Sequence, residues 1–208
     1  YWMEQNKVYS DGDVLSKQRS YWESVTNQKT DVFPVAHLEG KNTFGVSKHI
    51  HFTLSKAETE NLQKSLTKNN KLEINTLLLL AFSQGLNQTF GLETVKVTLE
   101  GHGREEYIKD VDITRTVGWF TSMYPIVLTA PEKENQFSLE EIVSYNDGLK
   151  IIPNKGVGYG ILRYLSSTPI IAKEFIPITF NYLGDFTQDN QAEEVDSKEK
   201  QENYFSYS

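Results

Sequence analysis

Apolar and polar residues alternate with period two from Ser47 to Leu54, where Ile50, Phe52 and Leu54 share a face. They do so again from Thr94 to Glu100, with Val95, Val97 and Leu99 on one side and Lys96, Thr98 and Glu100 on the other. Both stretches predict half-buried strands. Met123 to Leu128 predicts a further strand, and Pro125 within it points to an edge position or a bulge. Ile178 to Leu183 predicts the last clear one. Between them the period changes to that of a helix. Asp11 to Asn27 carries Val14, Leu15, Tyr21, Trp22 and Val25 at helical spacing. Ser55-x-x-Glu58 is a capping box that opens a helix bearing Leu62 and Leu66. Asn75 can cap the next helix, which is apolar nearly all round its first turns and ends near Gly91, so burial is expected. Ser138-x-x-Glu141 opens another, with Leu139, Ile142, Val143 and Leu149. Strands alternating with helices predict an α/β layer structure.

Composition narrows the chemistry. The chain has 208 residues, enough to bury a full core without disulfide or metal. There is no cysteine, which removes thiol nucleophiles, Cys-ligated zinc and iron–sulfur clusters and fits a reducing, cytoplasmic setting. A net charge of −7 argues against a nucleic-acid or anionic-membrane partner. The longest apolar run, Leu77 to Phe82, is far short of the roughly 20 residues of a membrane span. The start, Tyr1-Trp2-Met3, has neither an initiator Met nor the basic and apolar regions of a signal peptide, and reads as a piece of something longer. Residues 185–203 hold seven acids and two lysines. With few large apolar residues, 187–203 is expected to be an acidic surface loop, after which Tyr204 to Tyr207 reads as the start of another strand. No repeat or linker divides the chain, so residues 1–208 are expected to form a single domain.

Four clusters stand out as candidate chemistry. Glu100-Gly101-His102-Gly103-Arg104-Glu105 follows a strand directly. Its glycines permit a tight turn, and a carboxylate at a strand end is fixed well enough for acid–base work; taken alone, it reads more readily as a polar turn with surface charges. Arg115-Thr116-Val117-Gly118-Trp119-Phe120-Thr121 is bulky and, on its own, reads as a core-packed loop with Arg115 in an ion pair. Gly156-x-Gly158-Tyr159-Gly160 matches no nucleotide-binding fingerprint and reads as a turn passing close to another backbone. Phe180-Asn181-Tyr182-Leu183-Gly184 puts an amide and a phenol at a strand end. His49 and His51 share a strand face, but with His37 apart they lack a third ligand at metal spacing, so no metal is expected. No G-x-S-x-G marks a serine hydrolase.

Together and in this order, from residue 11 to residue 186, these clusters resemble the epimerization domains of nonribosomal peptide synthetases, members of the condensation-domain superfamily. The Glu100-to-Glu105 motif separates such domains from ordinary condensation domains. The resemblance implies a chloramphenicol acetyltransferase-like two-layer sandwich, a mixed sheet with helices packed on it. It implies that this chain is most of the second lobe, a partial C-terminal lobe, of a V-shaped, two-lobe domain whose active site lies in the cleft. The family's His-His-x-x-x-Asp-Gly motif, carried on the first lobe, does not occur here; Asp11-Gly12 has no His pair before it.

The activity so implied is inversion of the α-carbon of an aminoacyl or peptidyl thioester in antibiotic biosynthesis. No cofactor is bound directly: the 4'-phosphopantetheine arm comes from a peptidyl carrier protein. That carrier and the first lobe are the implied partners. Glu100 takes a catalytic acid–base role, with burial expected to raise its pKa. Asn181 and Tyr182 lie near the cleft as substrate-binding residues. His102, Arg104, Arg115 and Trp119 are loop residues near the cleft, with His102 orienting the turn and Arg115 organising the loop. The chain alone is expected to fold without epimerising. An amide-forming condensation domain and a non-catalytic carrier-docking lobe are the alternatives.

Overall fold

A computed structural model describes residues 1–35, 39–40, 43–68, 72–132, 136–172 and 175–184. The acidic stretch 187–203, Tyr204 to Tyr207 and His37 lie outside the described residues. The helices and strands, in chain order, are α1 (Trp2–Ser10), α2 (Asp13–Ser16), α3 (Arg19–Asn27), α4 (Lys56–Lys68), α5 (Ile74–Phe90), β1 (Thr94–Gly101), β2 (Ser122–Thr129), α6 (Leu139–Lys150), α7 (Val157–Tyr164) and β3 (Thr179–Phe180). The strands form a mixed sheet in the order β2-β1-β3, with β1 antiparallel to β2 and parallel to β3.

The alternation in β1 explains the layering. Val95, Val97 and Leu99 lie opposite Leu128, Ile126 and Tyr124 of β2, and all six are buried in one core with Leu15, Trp22, Leu79 and Leu162 from the helices. Pro125 pairs with Thr98 in unbroken register, so β2 has no bulge there; it is an edge strand, the position that tolerates proline. On the polar side of β1, Lys96 is 5% exposed and its Nζ donates to the Thr26 carbonyl at 3.0 Å, a cation on the last turn of α3.

Both capping boxes form. Ser138 Oγ accepts the Glu141 N–H at 3.2 Å, and Glu141 Oε2 accepts the Ser138 N–H at 2.6 Å. Ser55 and Glu58 exchange the same pair of bonds at 3.3 and 2.7 Å. Helix α5 ends at Gly91, whose φ of 69° is the left-handed closure that favours glycine.

Other expectations fail for local reasons. The segment Asp11 to Asn27 is two helices, because Gly12 and the turn at Lys17 and Gln18 interrupt it, and α1 precedes them. Ser47 to Leu54 joins no ladder; Ile50 and Phe52 are exposed, since alternation alone supplies no partner strand. Asn75 is not the cap: Glu73 holds that position and Asn75 lies in the first turn of α5. Only Thr179 and Phe180 of the last predicted strand are paired.

Candidate active site

The register brings the sequence clusters to one end of the sheet. Gly101 at the end of β1 lies opposite Ser122 at the start of β2. The Glu100–Glu105 and Arg115–Thr121 segments therefore leave the sheet side by side. β3 runs parallel to β1, so Asn181 and Tyr182 leave it at that end too. There Asn181 Nδ2 donates to Glu100 Oε2 at 2.8 Å. Glu100 is half-buried, and its Oε1 accepts no hydrogen bond among the described residues. A cavity of about 390 Å³ opens beside it, lined by Glu73, Asn75, Leu99, Glu100, Phe180 and Tyr182, with Tyr124 also on its wall. Burial pushes the Tyr124 phenol up to about 12, with the charges of Tyr21 and Glu105 adding to it, so this wall presents a neutral ring at neutral pH.

The turn after Glu100 is tied down by its own residues. His102 Nδ1 accepts the Arg104 N–H at 3.0 Å, and His102 Nε2 lies 2.9 Å from Glu105 Oε1. Lys155 Nζ reaches Glu105 Oε2 at 3.5 Å and joins this turn to the one before α7. Gly103 has a φ of 66°, and a Cβ there would run into the Phe120 carbonyl, so only glycine lets the two loops pack. Gly156 is held likewise against the ring of Tyr124. Gly156 and Gly158 therefore clear side chains, those of Tyr124, Gln18 and Leu15, rather than another backbone, while Gly160 faces open space; Gly156 opens α7.

Arg104, not Arg115, organises the second loop. Its Nη1 donates to the Ile113 carbonyl at 2.5 Å, its Nη2 to Gly118 at 3.3 Å, and its guanidinium lies 4.2 Å from the centre of the Phe120 ring. Arg115 is exposed and makes no hydrogen bond or ion pair among the described residues. Trp119 is 89% exposed, which overturns the core-packed reading of this loop. A planar fork can take two carbonyls and a ring at once, and Arg104 is the arginine placed at the base of the loop. Sequence reasoning passed over Asn75 as part of the site, because it looked like a helix cap.

Among the described residues no group of three or more His, Asp or Glu side chains is placed to hold a metal ion, and no helix is long and apolar enough to cross a membrane. The rings of His49 and His51 do stack at 6.4 Å, but both residues are exposed.

The condensation-domain family model matches residues 1–208. The chain belongs to the condensation-domain family. This condensation-domain chain is 38% identical over 184 residues to bacitracin synthase 3 of Bacillus licheniformis, covering 88% of itself and 3% of that protein. It is 37% identical over 190 residues to bacitracin synthase 2 of the same organism, covering 91% of itself and 7% of that protein. Among solved structures it matches the epimerization domain from the third module of tyrocidine synthetase B with a TM-score of 0.80 at 34% identity, covering 89% of itself and 43% of that chain. The α/β fold with its mixed sheet is therefore the chloramphenicol acetyltransferase-like fold of this superfamily. The chain spans less than half of that solved chain and a small part of each synthetase.

Proposed function

We propose that this chain belongs to an epimerization domain of a nonribosomal peptide synthetase, one that inverts the α-carbon of an aminoacyl or peptidyl thioester presented by a carrier protein. The observation that carries the reading is the Glu100 carboxylate. It is fixed at a strand end, held through Oε2 by Asn181, and its Oε1 is left to meet a substrate in the adjoining cavity. The match to a solved epimerization domain and the intact Glu100-to-Glu105 motif support the same reading.

In this mechanism Glu100 Oε1 takes the α-proton. The C–H electron pair moves into the thioester, giving an enolate whose negative charge rests on the carbonyl oxygen. A proton returned to the opposite face restores the carbonyl with inverted configuration, and the overall proton count is unchanged. The phosphopantetheine thioester, which acidifies the α-proton, arrives with the carrier. Asn181 fixes the carboxylate so that its geometry does not have to be found during the reaction. The opposite-face acid belongs, in this reading, to the other lobe of the cleft.

The test is deuterium wash-in at the α-carbon of a carrier-loaded aminoacyl thioester, using the intact synthetase protein. Glu100→Gln keeps the size and a hydrogen-bonding acceptor but cannot take the proton, and should lower exchange by about 10²-fold or more, the scale of general-base catalysis. Unchanged exchange sinks the role given to Glu100. Amide formation that persists in Glu100→Gln, with no exchange in the parent, favours the condensation reading instead.

A further inference from the structure

The first turn of α5 forms the wall of the cavity that holds Glu100, and it is pinned from behind. Asn146 of α6 is 2% exposed, and its Oδ1 accepts both the Glu73 N–H at 3.1 Å and the Thr76 hydroxyl at 3.0 Å. Asn75, between these two anchored residues, lines the cavity with Glu100 and Tyr182. Its own side-chain oxygen is shielded from water and accepts no hydrogen bond among the described residues. A buried amide carbonyl without a donor is destabilising where it stands, and a cavity residue in that state calls for a ligand-side partner. The terminal torsion of an asparagine is broad, so an oxygen with no donor to hold it turns toward an arriving one at little cost. Other buried polar atoms without partners, such as Trp22 Nε1, line no wall of this cavity.

We propose that Asn75 is a substrate-binding residue of this site, its side-chain carbonyl accepting an N–H from the nitrogen on the substrate's α-carbon. This rests on the epimerization reading, which puts that carbon beside Glu100. Aminoacyl and peptidyl thioesters, those ending in an acylated proline or an N-alkylated residue excepted, carry an N–H donor on the same α-carbon whose C–H Glu100 addresses. An acceptor on the α5 wall and a base at the end of β1 then hold two substituents of the same carbon, which sets the angle at which the C–H meets Oε1.

The experiment uses the intact synthetase protein and two measurements. One is the affinity for a carrier loaded with an aminoacyl group through an amide in place of the thioester, a probe that binds without exchanging. The other is α-deuterium exchange on the true thioester, resolved into kcat and KM. Asn75→Ala should weaken the probe about tenfold and raise KM about tenfold, the effect of one lost hydrogen bond. Its Tm should be unchanged or higher, because the variant removes an unsatisfied buried group. Asn75→Asp, which keeps an acceptor, should bind the probe within about threefold of the parent protein, a difference smaller than one hydrogen bond. Unchanged probe affinity and KM in Asn75→Ala overturns the proposal. So does a fall in Tm with no loss of affinity, which makes the residue structural. Failure of the epimerization reading shows separately, as no α-deuterium exchange in the parent protein, and the probe affinity still decides the case of Asn75.

Discussion

Arg104 and Arg115 are eleven positions apart at one end of the sheet, yet their surroundings give them opposite weight. Arg104 holds two carbonyls of the 113–118 stretch and covers the Phe120 ring, so three contacts converge on one rigid group. Hydrogen bonds from a charged donor contribute about 1.5–3 kcal/mol, and a partner left unpaired adds to the loss. Arg104→Ala is therefore expected to cost about 2–3 kcal/mol, and Arg104→Lys most of that, since an ammonium cannot span both carbonyls and stack. Arg115→Ala should stay within about 0.5 kcal/mol, as exposed side chains without partners do. Urea denaturation of the three variants checks this, and equal losses at the two arginines would contradict the assignment. Sequence alone named both residues and gave the organising role to Arg115, because the assignment depends on which backbone carbonyls the Gly103 turn brings within reach of Arg104.

At the scale of elements, legibility followed the range of the interactions involved. The boxes at Ser55 and Ser138 were readable because each is complete within four residues. Ser138→Ala should accordingly cost about 1 kcal/mol, read as a lower Tm, and Glu141→Ala at least as much, because Glu141 Oε1 also accepts the Glu132 N–H at 2.9 Å. A Ser138→Ala protein that melts with the parent would show that tertiary packing alone sets the start of α6. The strand β1 was readable for a different reason: its apolar face meets a continuous core, so pattern and burial agree along its length. Ser47 to Leu54 has the same alternation and no ladder, because a strand needs a partner and the pattern carries no information about one. β3 was overextended for the related reason that only Thr98 and Leu99 pair with it. The candidate site was legible as motifs and not as a cavity. Glu100, Asn181 and Tyr182 were recognisable by residue type, whereas Asn75 joins them only through the packing of α5 against α6.

Across the whole molecule, one end of the sheet, three-stranded among the described residues, gathers the Glu100 carboxylate, the Asn181 amide that holds it, a phenol and a helix start. In the proposed mechanism these groups hold one side of the reacting carbon. Inversion needs a proton donor on the other side as well, together with an environment from which water is excluded while charge sits on the enolate. The cavity does not provide the second requirement within the described residues: Glu73, Asn181 and Tyr182 on or beside its wall are all exposed, Tyr182 by 38%. Water at such a site competes for Glu100 and is not a positioned acid. The chain also aligns with only 43% of the solved epimerization-domain chain. We therefore expect the 208-residue chain to fold, with the cooperative melt of a packed core, and to give no α-deuterium exchange above the rate of the free thioester. Adding the remainder of the domain as a separate polypeptide should restore exchange, and it should do so only while Glu100 is intact. Exchange by this chain alone at the rate of the intact synthetase would mean that the groups around this one cavity serve both faces of the carbon, with Glu73 the carboxylate to substitute next.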